Sequence, residues 1–359
     1  MQIALTKKLA DASGAVTQSE IVCDPLYSWV AGWTNVYSDR KEDLIVMVNA
    51  ATRFVVTIYG VRRRNLKGIA AKMTAAIRNT LLALNLNPEI VDEYLERAGE
   101  VQFTVNHDRS LSTYATHAGT VFARYLYDRV YDVDYDDTLG RIISRRPINL
   151  QSDSCDIPEE TMLETLKAHT DKPMYIYRAF ELLVTLDLDI YIAKRRLIVP
   201  SNLSFTDLHS VLQSVFDWKN SHLYEYIAHP KKGESDVYLL ANEDTLDFID
   251  NGVLMDGHTL SEYLPEYKSL TYIYDFGDYW EHEIELVRVI DKHDAPSPYL
   301  LEAEGKSPPE DVGGVGGFIE FRKIMLDPNH PEHEDAKKWA GYWNAELSDY
   351  SKRPRAINV

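Results

Sequence analysis

Hydrophobic and polar residues alternate most regularly between positions 177 and 191. Phe180, Leu182 and Val184 fall on one side of this alternation, and Glu181 falls on the other. Because successive side chains of a strand point to opposite faces of its sheet, the pattern predicts a long strand with one buried face.

The residues that follow predict a helix and then a hairpin. Pro200 and Ser204 precede an apolar stripe with helical spacing, and Ser204 is the expected N-cap of that helix. Two strand-like segments, 270–275 and 279–290, flank the turn residue Gly277. Glycine and short polar residues suit a tight turn, so these segments are expected to pair as a hairpin.

The first half of the chain combines the same two kinds of pattern. Leu44–Asn49 and residues 53–59 are rich in β-branched residues and predict two paired strands, and Gln2–Leu5 predicts another. Apolar residues recur at helical spacing from 65 to 84, and Pro88 suits the first turn of the next helix. The expected fold class is therefore α+β.

The hydrophobic periodicity is lost between residues 140 and 173, apart from a short acidic helix. A chain of 359 residues can form two domains of about 100–200 residues each. We therefore predict an amino-terminal α+β domain of unknown function at 1–140, a linker with a short helix at 141–173, and a second α+β domain at 174–350. Each domain is predicted to be a mainly antiparallel sheet packed with helices.

The chain is acidic, with 56 acidic and 38 basic residues and a formal net charge of −18. Such a surface repels phosphate backbones, so strong nucleic-acid binding is not expected, and the expected partner is a protein or a small ligand. No run approaches the roughly 18 apolar residues of a membrane span. The first residues lack the apolar core of a signal peptide, and Cys23 and Cys155 form no disulfide framework, so a cytoplasmic protein is expected.

Three histidines and several carboxylates of the second half form a candidate polar site. Imidazole and carboxylate groups are suitable ligands for zinc or iron, so a divalent metal is a possible cofactor. The spacing of these residues is not diagnostic, and structural pairing of the same groups is the alternative. The candidate residues are His209, His222, Asp275, Asp278, Trp280, His282, Glu310 and Asp311.

His282 is predicted to lie on an otherwise apolar strand face, where an unpaired imidazole would be costly. We expect Asp278 to supply its partner in a buried polar link that holds the hairpin against the helix carrying His209. Asp311 is an alternative partner. No P-loop, dinucleotide fingerprint or GxSxG nucleophile elbow occurs, so the sequence identifies no catalytic residue.

Several short motifs of the second half occur in a fixed order between residues 177 and 343. They are Leu208-His209, Phe216-x-Trp218, Ser221-His222-Leu223, Tyr274-Asp275-Phe276-Gly277-Asp278-x-Trp280-x-His282, Pro308-Pro309-Glu310-Asp311-x-Gly313-Gly314 and Asp327-Pro328-x-His330-Pro331-Glu332. In these motifs the chain resembles the plasmid pRiA4b ORF-3-like family, found in bacteria and often encoded on mobile elements. Where that family often has cysteine, this chain has Val312, so the resemblance implies no cysteine ligand here.

The first half is similar to a bacterial family known only as a domain of unknown function. The motifs Trp33-x-Asn35-x-Tyr37 and Asn106-x-x-Arg109-Ser110 carry this weaker resemblance. Neither resemblance implies a settled activity, so whether the protein is an enzyme stays open.

Two classes of function therefore remain. The first is a binding or interaction module, linked to mobile elements or to host defence. The second is a metal-dependent hydrolase or nuclease that uses His209, His222 or His282 as ligands, with an aspartate as ligand or base. Convergence of the three histidines with the carboxylates around one cleft would favour the enzyme, and their burial with full hydrogen bonding would favour the module.

Overall fold

The computed structural model divides the chain into two compact units, Met1–Ile176 and Tyr177–Val359. The side chains of residues 120–125, 137–138 and 351–352 are not described. The structure describes residues 1–19, 22–35, 43–125, 137–148, 155–231, 234–242, 246, 249–341, 343, 351–352 and 355–357.

The first unit consists of a five-stranded sheet with helices. Its strands are β1 (Gln2–Leu5), β2 (Ser28–Thr34), β3 (Leu44–Asn49), β4 (Val55–Ile58) and β5 (Gln102–Val105). Its helices are α1 (Lys7–Ser13), α2 (Ile69–Ala83), α3 (Pro88–Ala98), α4 (Arg109–Tyr125), α5 (Asp137–Ser144) and α6 (Pro158–Ala168), with 3₁₀ turns at Pro25–Tyr27 and Arg63–Asn65.

The strand order of this sheet is β4-β3-β2-β1-β5. β1 is parallel to both β2 and β5, whereas β2, β3 and β4 pair in antiparallel fashion. The predicted α+β class and the β3–β4 hairpin are confirmed. This sheet is mixed, with two antiparallel and two parallel strand pairs, because the chain passes through α1 between β1 and β2 and returns in the same direction.

Both faces of this sheet are covered. On β1, Ile3 and Leu5 face a core that α2 and α3 share, whereas Ala4 faces a second core formed with α4 and α5. Met162 and Leu166 of α6 are buried in the first of these cores. The segment predicted as a linker therefore includes a helix that belongs to the first unit.

The second unit is built around a long sheet. Its strands are β6 (Tyr177–Asp187), β7 (Ile192–Pro200), β8 (Tyr224–Pro230), β9 (Val237–Leu240), β10 (Gly252–Leu254), β11 (Tyr267–Tyr274), β12 (Trp280–His293), β13 (Tyr299–Glu304), β14 (Ser351–Lys352) and β15 (Arg355–Ala356). Its helices are α7 (Phe205–Phe216), α8 (Leu260–Tyr263), α9 (Gly314–Leu326) and α10 (His333–Ala340).

The order of the second sheet is β10-β9-β8-β11-β12-β6-β7-β13-β14, with β15 also paired to β13. The β9–β10 pair is parallel and the other pairs are antiparallel, as predicted for this unit. Ser204 caps α7 as expected, since its side chain accepts a hydrogen bond from the Asp207 N–H. Phe205, Leu212 and other apolar residues of α7 pack on the sheet.

The strand predicted from 177 to 191 ends at Asp187 and is followed by a turn and by β7. Asp189 has a φ of 61°, a left-handed conformation that aspartate tolerates in turns. The alternation of apolar residues continues through Leu188 and Ile190, so the sequence pattern conceals this turn.

Glu181 lies on the face of β6 that was predicted to be polar, yet its side chain is fully buried. Its carboxylate accepts hydrogen bonds of 2.5 Å from the guanidinium groups of Arg196 and Arg288, on the two neighbouring strands. Burial alone would raise the pKa of Glu181, but these two charged donors outweigh it and hold the pKa below its ordinary value. The polar face is therefore held together across three strands.

Within the described part of the chain, none of the helices combines the length and the apolar character needed to cross a membrane.

Candidate functional site

Four of the predicted site residues meet at one end of the second sheet. His222 lies two residues before the start of β8, and Asp275 directly follows the end of β11. These ends are adjacent because β8 and β11 are antiparallel, and the Asp275 N–H donates a 3.0 Å hydrogen bond to the Leu223 carbonyl. Glu310 and Asp311 reach the same place on the loop between β13 and α9.

Nε2 of His222 lies between three carboxylates. It is 3.5 Å from Oδ2 of Asp275, 3.4 Å from Oε2 of Glu310 and 3.1 Å from Oδ1 of Asp311. This nitrogen is shielded from solvent and makes no hydrogen bond of acceptable geometry in the described structure. One ligand atom each from His222, Asp275 and Asp311 lies within 4.8 Å of the others, a spacing that could hold a metal ion.

Hydrogen-bond donors to Oε1, the oxygen that points away from His222, hold the Glu310 carboxylate in place. Its Oε1 accepts hydrogen bonds from the Lys219 N–H at 2.5 Å and from the Tyr274 hydroxyl at 3.1 Å. The Tyr274 oxygen in turn accepts from the Ser221 N–H at 3.0 Å. Burial, together with the negative charge of Glu310, raises the pKa of Tyr274, so this phenol stays a donor. Oε2 of Glu310, which the same hydroxyl also reaches at 3.3 Å, faces His222.

Asp275 is oriented in a similar way. Its Oδ1 accepts a 2.9 Å hydrogen bond from the Gly277 N–H, an Asx-type turn that leaves Oδ2 directed at His222. Asp275 and Asp311 both have a φ of 59°, in the left-handed region. Non-glycine residues held there are enriched at functional sites, and the surrounding structure must hold them in place.

A glycine-rich segment brings the Glu310–Asp311 loop against the hairpin turn. The Gly313 N–H donates a 3.1 Å hydrogen bond to Oδ2 of Asp278. A Cβ atom at Gly314 would lie 2.7 Å from the Asp278 carbonyl oxygen, and one at Gly317 would lie 2.1 Å from that of Val312. Side chains at these two positions would displace the loop, so glycine is required for the approach.

His209 does not join the cluster. Its Nε2 donates to Oδ1 of Asn220 and its Nδ1 accepts from the Tyr272 hydroxyl, both at 2.8 Å, which accounts for both ring nitrogens. Gln213 donates to the same hydroxyl, and the His209 ring stacks on Tyr224 with centroids 3.5 Å apart. Burial lowers the pKa of His209 to about 4, so the ring is neutral at pH 7.

His282 is also placed elsewhere, and the predicted Asp278–His282 link is wrong. The imidazole is fully buried, and its Nδ1 donates to the carbonyl oxygens of Tyr272 and Trp280, at 3.2 and 3.0 Å. Asp278 instead accepts from the Gly313 N–H. Backbone carbonyls, which no residue pattern reveals, supply the partners that were expected from a side chain. Burial lowers the pKa of His282 to about 4.

The four residues of this cluster are all among the eight predicted site residues, and the other four lie outside it. Trp280 is buried and stacks on Trp218, with ring centroids 5.7 Å apart. Tyr274 was not among the predicted site residues. Its position beside Asp275, on the face of β11 that also carries Tyr272, could have indicated that it belongs to the site.

Two family models match the chain. Residues 178–352 match the model described as plasmid pRiA4b ORF-3-like protein, and residues 2–161 match the model described as domain of unknown function (DUF6933). The predicted resemblances of the two halves are thus confirmed. Both descriptions leave the activity open.

Two further similarities concern uncharacterised proteins. The chain is 35% identical over 185 residues to uncharacterized protein y4hQ of Sinorhizobium fredii, covering 49% of this chain and 88% of that protein. It is also similar to the crystal structure of the protein of unknown function MM3350 from Methanosarcina mazei, at 30% identity and a TM-score of 0.42, covering 46% of this chain and 90% of the other. Neither similarity supplies a function.

Proposed function

We propose, for a chain that belongs to the plasmid pRiA4b ORF-3-like family, that its second unit binds a divalent transition-metal ion. His222, Asp275 and Asp311 would be the ligands, and Glu310 would be a further ligand or hold the others in place. The observation that carries the proposal is the shielded Nε2 of His222, which has three carboxylates within 3.5 Å and no hydrogen bond in the described structure.

The charges of the cluster support a cation. Three carboxylates around one imidazole repel each other at short range, and a divalent ion between them would compensate that repulsion. A nitrogen ligand combined with carboxylate oxygens suits Zn²⁺, Mn²⁺ or Fe²⁺ rather than Mg²⁺, which prefers oxygen alone. The hydrogen bonds to the far oxygens of Asp275 and Glu310 have the arrangement of outer-sphere contacts that orient metal ligands.

Calorimetric titration of the full-length protein with ZnCl₂ and with MnCl₂ tests this proposal. We expect one site per chain for at least one of the two ions. Replacing His222 with alanine should weaken that site at least about 100-fold, because a direct ligand is lost where even outer-sphere changes cost about 10–100-fold.

The matched control is His229→Ala. His229 lies on β8 and is held by hydrogen-bond contacts with Thr271 and Asp236, away from the cluster. This variant should bind the ion as the unmodified protein does. Equal affinity of the His222→Ala and His229→Ala variants would show that the imidazole simply forms ion pairs with the carboxylates.

In this proposal the second unit is a binding module whose partner is a protein or a small ligand. Two of the three candidate histidines do not reach the carboxylates, which supports a module: His209 is buried with both ring nitrogens hydrogen-bonded, and His282 is buried with its Nδ1 hydrogen-bonded to backbone carbonyls. A cytoplasmic location is part of the proposal, because Cys23 and Cys155 are both free thiols. A role with mobile elements or host defence is also part of it, from the family to which the chain belongs.

One observation favours a metal-assisted hydrolase as the second candidate. The Asp311 side chain is 68% exposed, so the cluster is open to solvent on one side, as catalytic metal sites are. If the ion activates water, the Mn²⁺- or Zn²⁺-loaded protein will hydrolyse bis(4-nitrophenyl) phosphate and His222→Ala will not. Metal binding without turnover of this ester or of single-stranded DNA would leave the binding module as the proposal.

A further inference from the structure

A groove of about 500 Å³ lies between α9 and α10. Its floor is apolar and includes Val312, Phe321, Ile324 and Trp339. The Trp339 side chain is about half exposed, at 51%, and its ring meets that of Phe321 edge to face, with centroids 5.4 Å apart. The half-exposed indole beside a buried phenylalanine gives the groove an apolar contact surface, and tryptophan is enriched in the cores of protein interfaces.

The rim of this groove is acidic. Asp311, Glu320, Glu332 and Asp335 line it, and none of its described lining residues is a lysine or an arginine. Glu320 and Asp335 each have an ion pair with a lysine of their own helix, at 3.0 and 3.6 Å. Those pairs are largely exposed to solvent and so contribute little, which lets an incoming cation replace them.

We propose that the groove binds an arginine-bearing segment of a partner protein. Four carboxylates attract a positive charge, and the aromatic floor requires a cation that can also lie against a ring. A guanidinium meets both requirements, because it pairs with carboxylates through two parallel hydrogen bonds and stacks on aromatic faces, whereas an ammonium does so less well. The groove is open to solvent, which suits a polypeptide better than a small ligand that must be largely enclosed.

The proposal does not require the metal site, although Asp311 contributes to both. It is therefore tested on the full-length protein in the presence of a chelator. The probe is a fluorescein-labelled decapeptide of alternating arginine and leucine, followed by fluorescence anisotropy near physiological salt. Decapeptides in which lysine or glutamate replaces every arginine are the comparison probes. We expect the arginine peptide to bind several-fold more tightly than the lysine peptide, and the glutamate peptide not to bind.

Two groove variants identify the site. Trp339→Ala should weaken the arginine peptide about fivefold through loss of the cation–π contact. The double variant Glu332→Gln, Asp335→Asn should weaken it at least about tenfold, through loss of two charge-assisted hydrogen-bond acceptors. The charge-matched control is Glu281→Gln, Glu283→Gln, which removes two exposed carboxylates of β12.

Equal weakening by the groove and control double variants would overturn the proposal, because it would mean that net charge alone attracts the peptide. Equal affinity for the arginine and lysine peptides would do the same. A chain that sediments as a dimer, and becomes monomeric in Trp339→Ala, would also overturn it, since a second copy would then cover the groove.

Discussion

Replacing Arg195 with alanine is expected to lower the free energy of unfolding of the second unit by about 4 kcal/mol. Arg195, on β7, is fully buried. Its Nε donates to the Val215 carbonyl at 2.8 Å, and its terminal nitrogens donate to carbonyls of β7, of the last residue of β13 and of Gly305, together with the Ser307 hydroxyl. The guanidinium carbon also lies 4.5 Å from the centre of the Phe216 ring.

The loss has two sources. Truncation leaves several buried carbonyl acceptors without a donor, each costing about 1–3 kcal/mol before relaxation, and it opens a cavity beside Phe216. Arg195→Lys should recover only a small part of this lost stability, because an ammonium cannot donate hydrogen bonds in the several directions that the guanidinium does.

Denaturant unfolding followed by tryptophan fluorescence measures both variants. Arg178→Ala is the control, because that side chain is half exposed and its ion pair with Asp291 is 3.6 Å long, so less than about 1 kcal/mol should be lost. A loss for Arg195→Ala as small as that for Arg178→Ala would show that water readily replaces the guanidinium.

Acid should destabilise the second unit through two buried histidines. Burial lowers the pKa values of His209 and His282 to about 4, against 6.5 for an unperturbed imidazole. Both rings are neutral in the folded state, so the unfolded chain binds more protons between pH 6.5 and 4. Their contribution is complete above pH 6.5 and is lost as the pH falls toward 4. Between pH 7.5 and pH 5, the protonation difference at each ring should lower the free energy of unfolding by about 2 kcal/mol.

A non-titrating replacement isolates one of the two contributions. His282→Gln keeps a donor for the Tyr272 and Trp280 carbonyls but cannot take up a proton. The variant should lose about 2 kcal/mol less than the unmodified protein over the same pH interval, in paired denaturant titrations. The same acid-induced loss in both proteins would mean that His282 is protonated in the folded state as easily as in the unfolded state.

Local patterns predicted most of the elements that surround the site. The Ser204 cap, the turn at Gly277 and the paired strands on either side of it all follow from residue types within a few positions of each other. Such signals are short-ranged, and so they survive in the folded chain. No such local signal revealed β7. Its charged residues Arg195 and Arg196 have partners far away in the sequence, at Glu304 and Glu181.

The sequence predicted a site of histidine and carboxylate groups, but it did not show which of the candidate residues would meet. His222 and His282 look equivalent in the sequence, since each lies two residues from an aromatic residue, Tyr224 or Trp280, at a predicted strand. What separates them is the register of the sheet, which directs His282 inward among carbonyl groups and leaves His222 at the strand end, where the loop carrying Glu310 can reach it. Register depends on pairings across the whole sheet, and a single sequence does not encode these locally.

Asp311 belongs to two surfaces at once. Its carboxylate lies 3.1 Å from Nε2 of His222, and it also forms part of the acidic rim between α9 and α10. A cation held at His222 would neutralise this charge and weaken the attraction of the rim for a guanidinium. Linkage makes the effect reciprocal, so a bound arginine segment would weaken the ion by the same factor. The metal would thus be a negative effector of partner binding. The groove would bind the partner when the ion is scarce and release it when the ion is abundant.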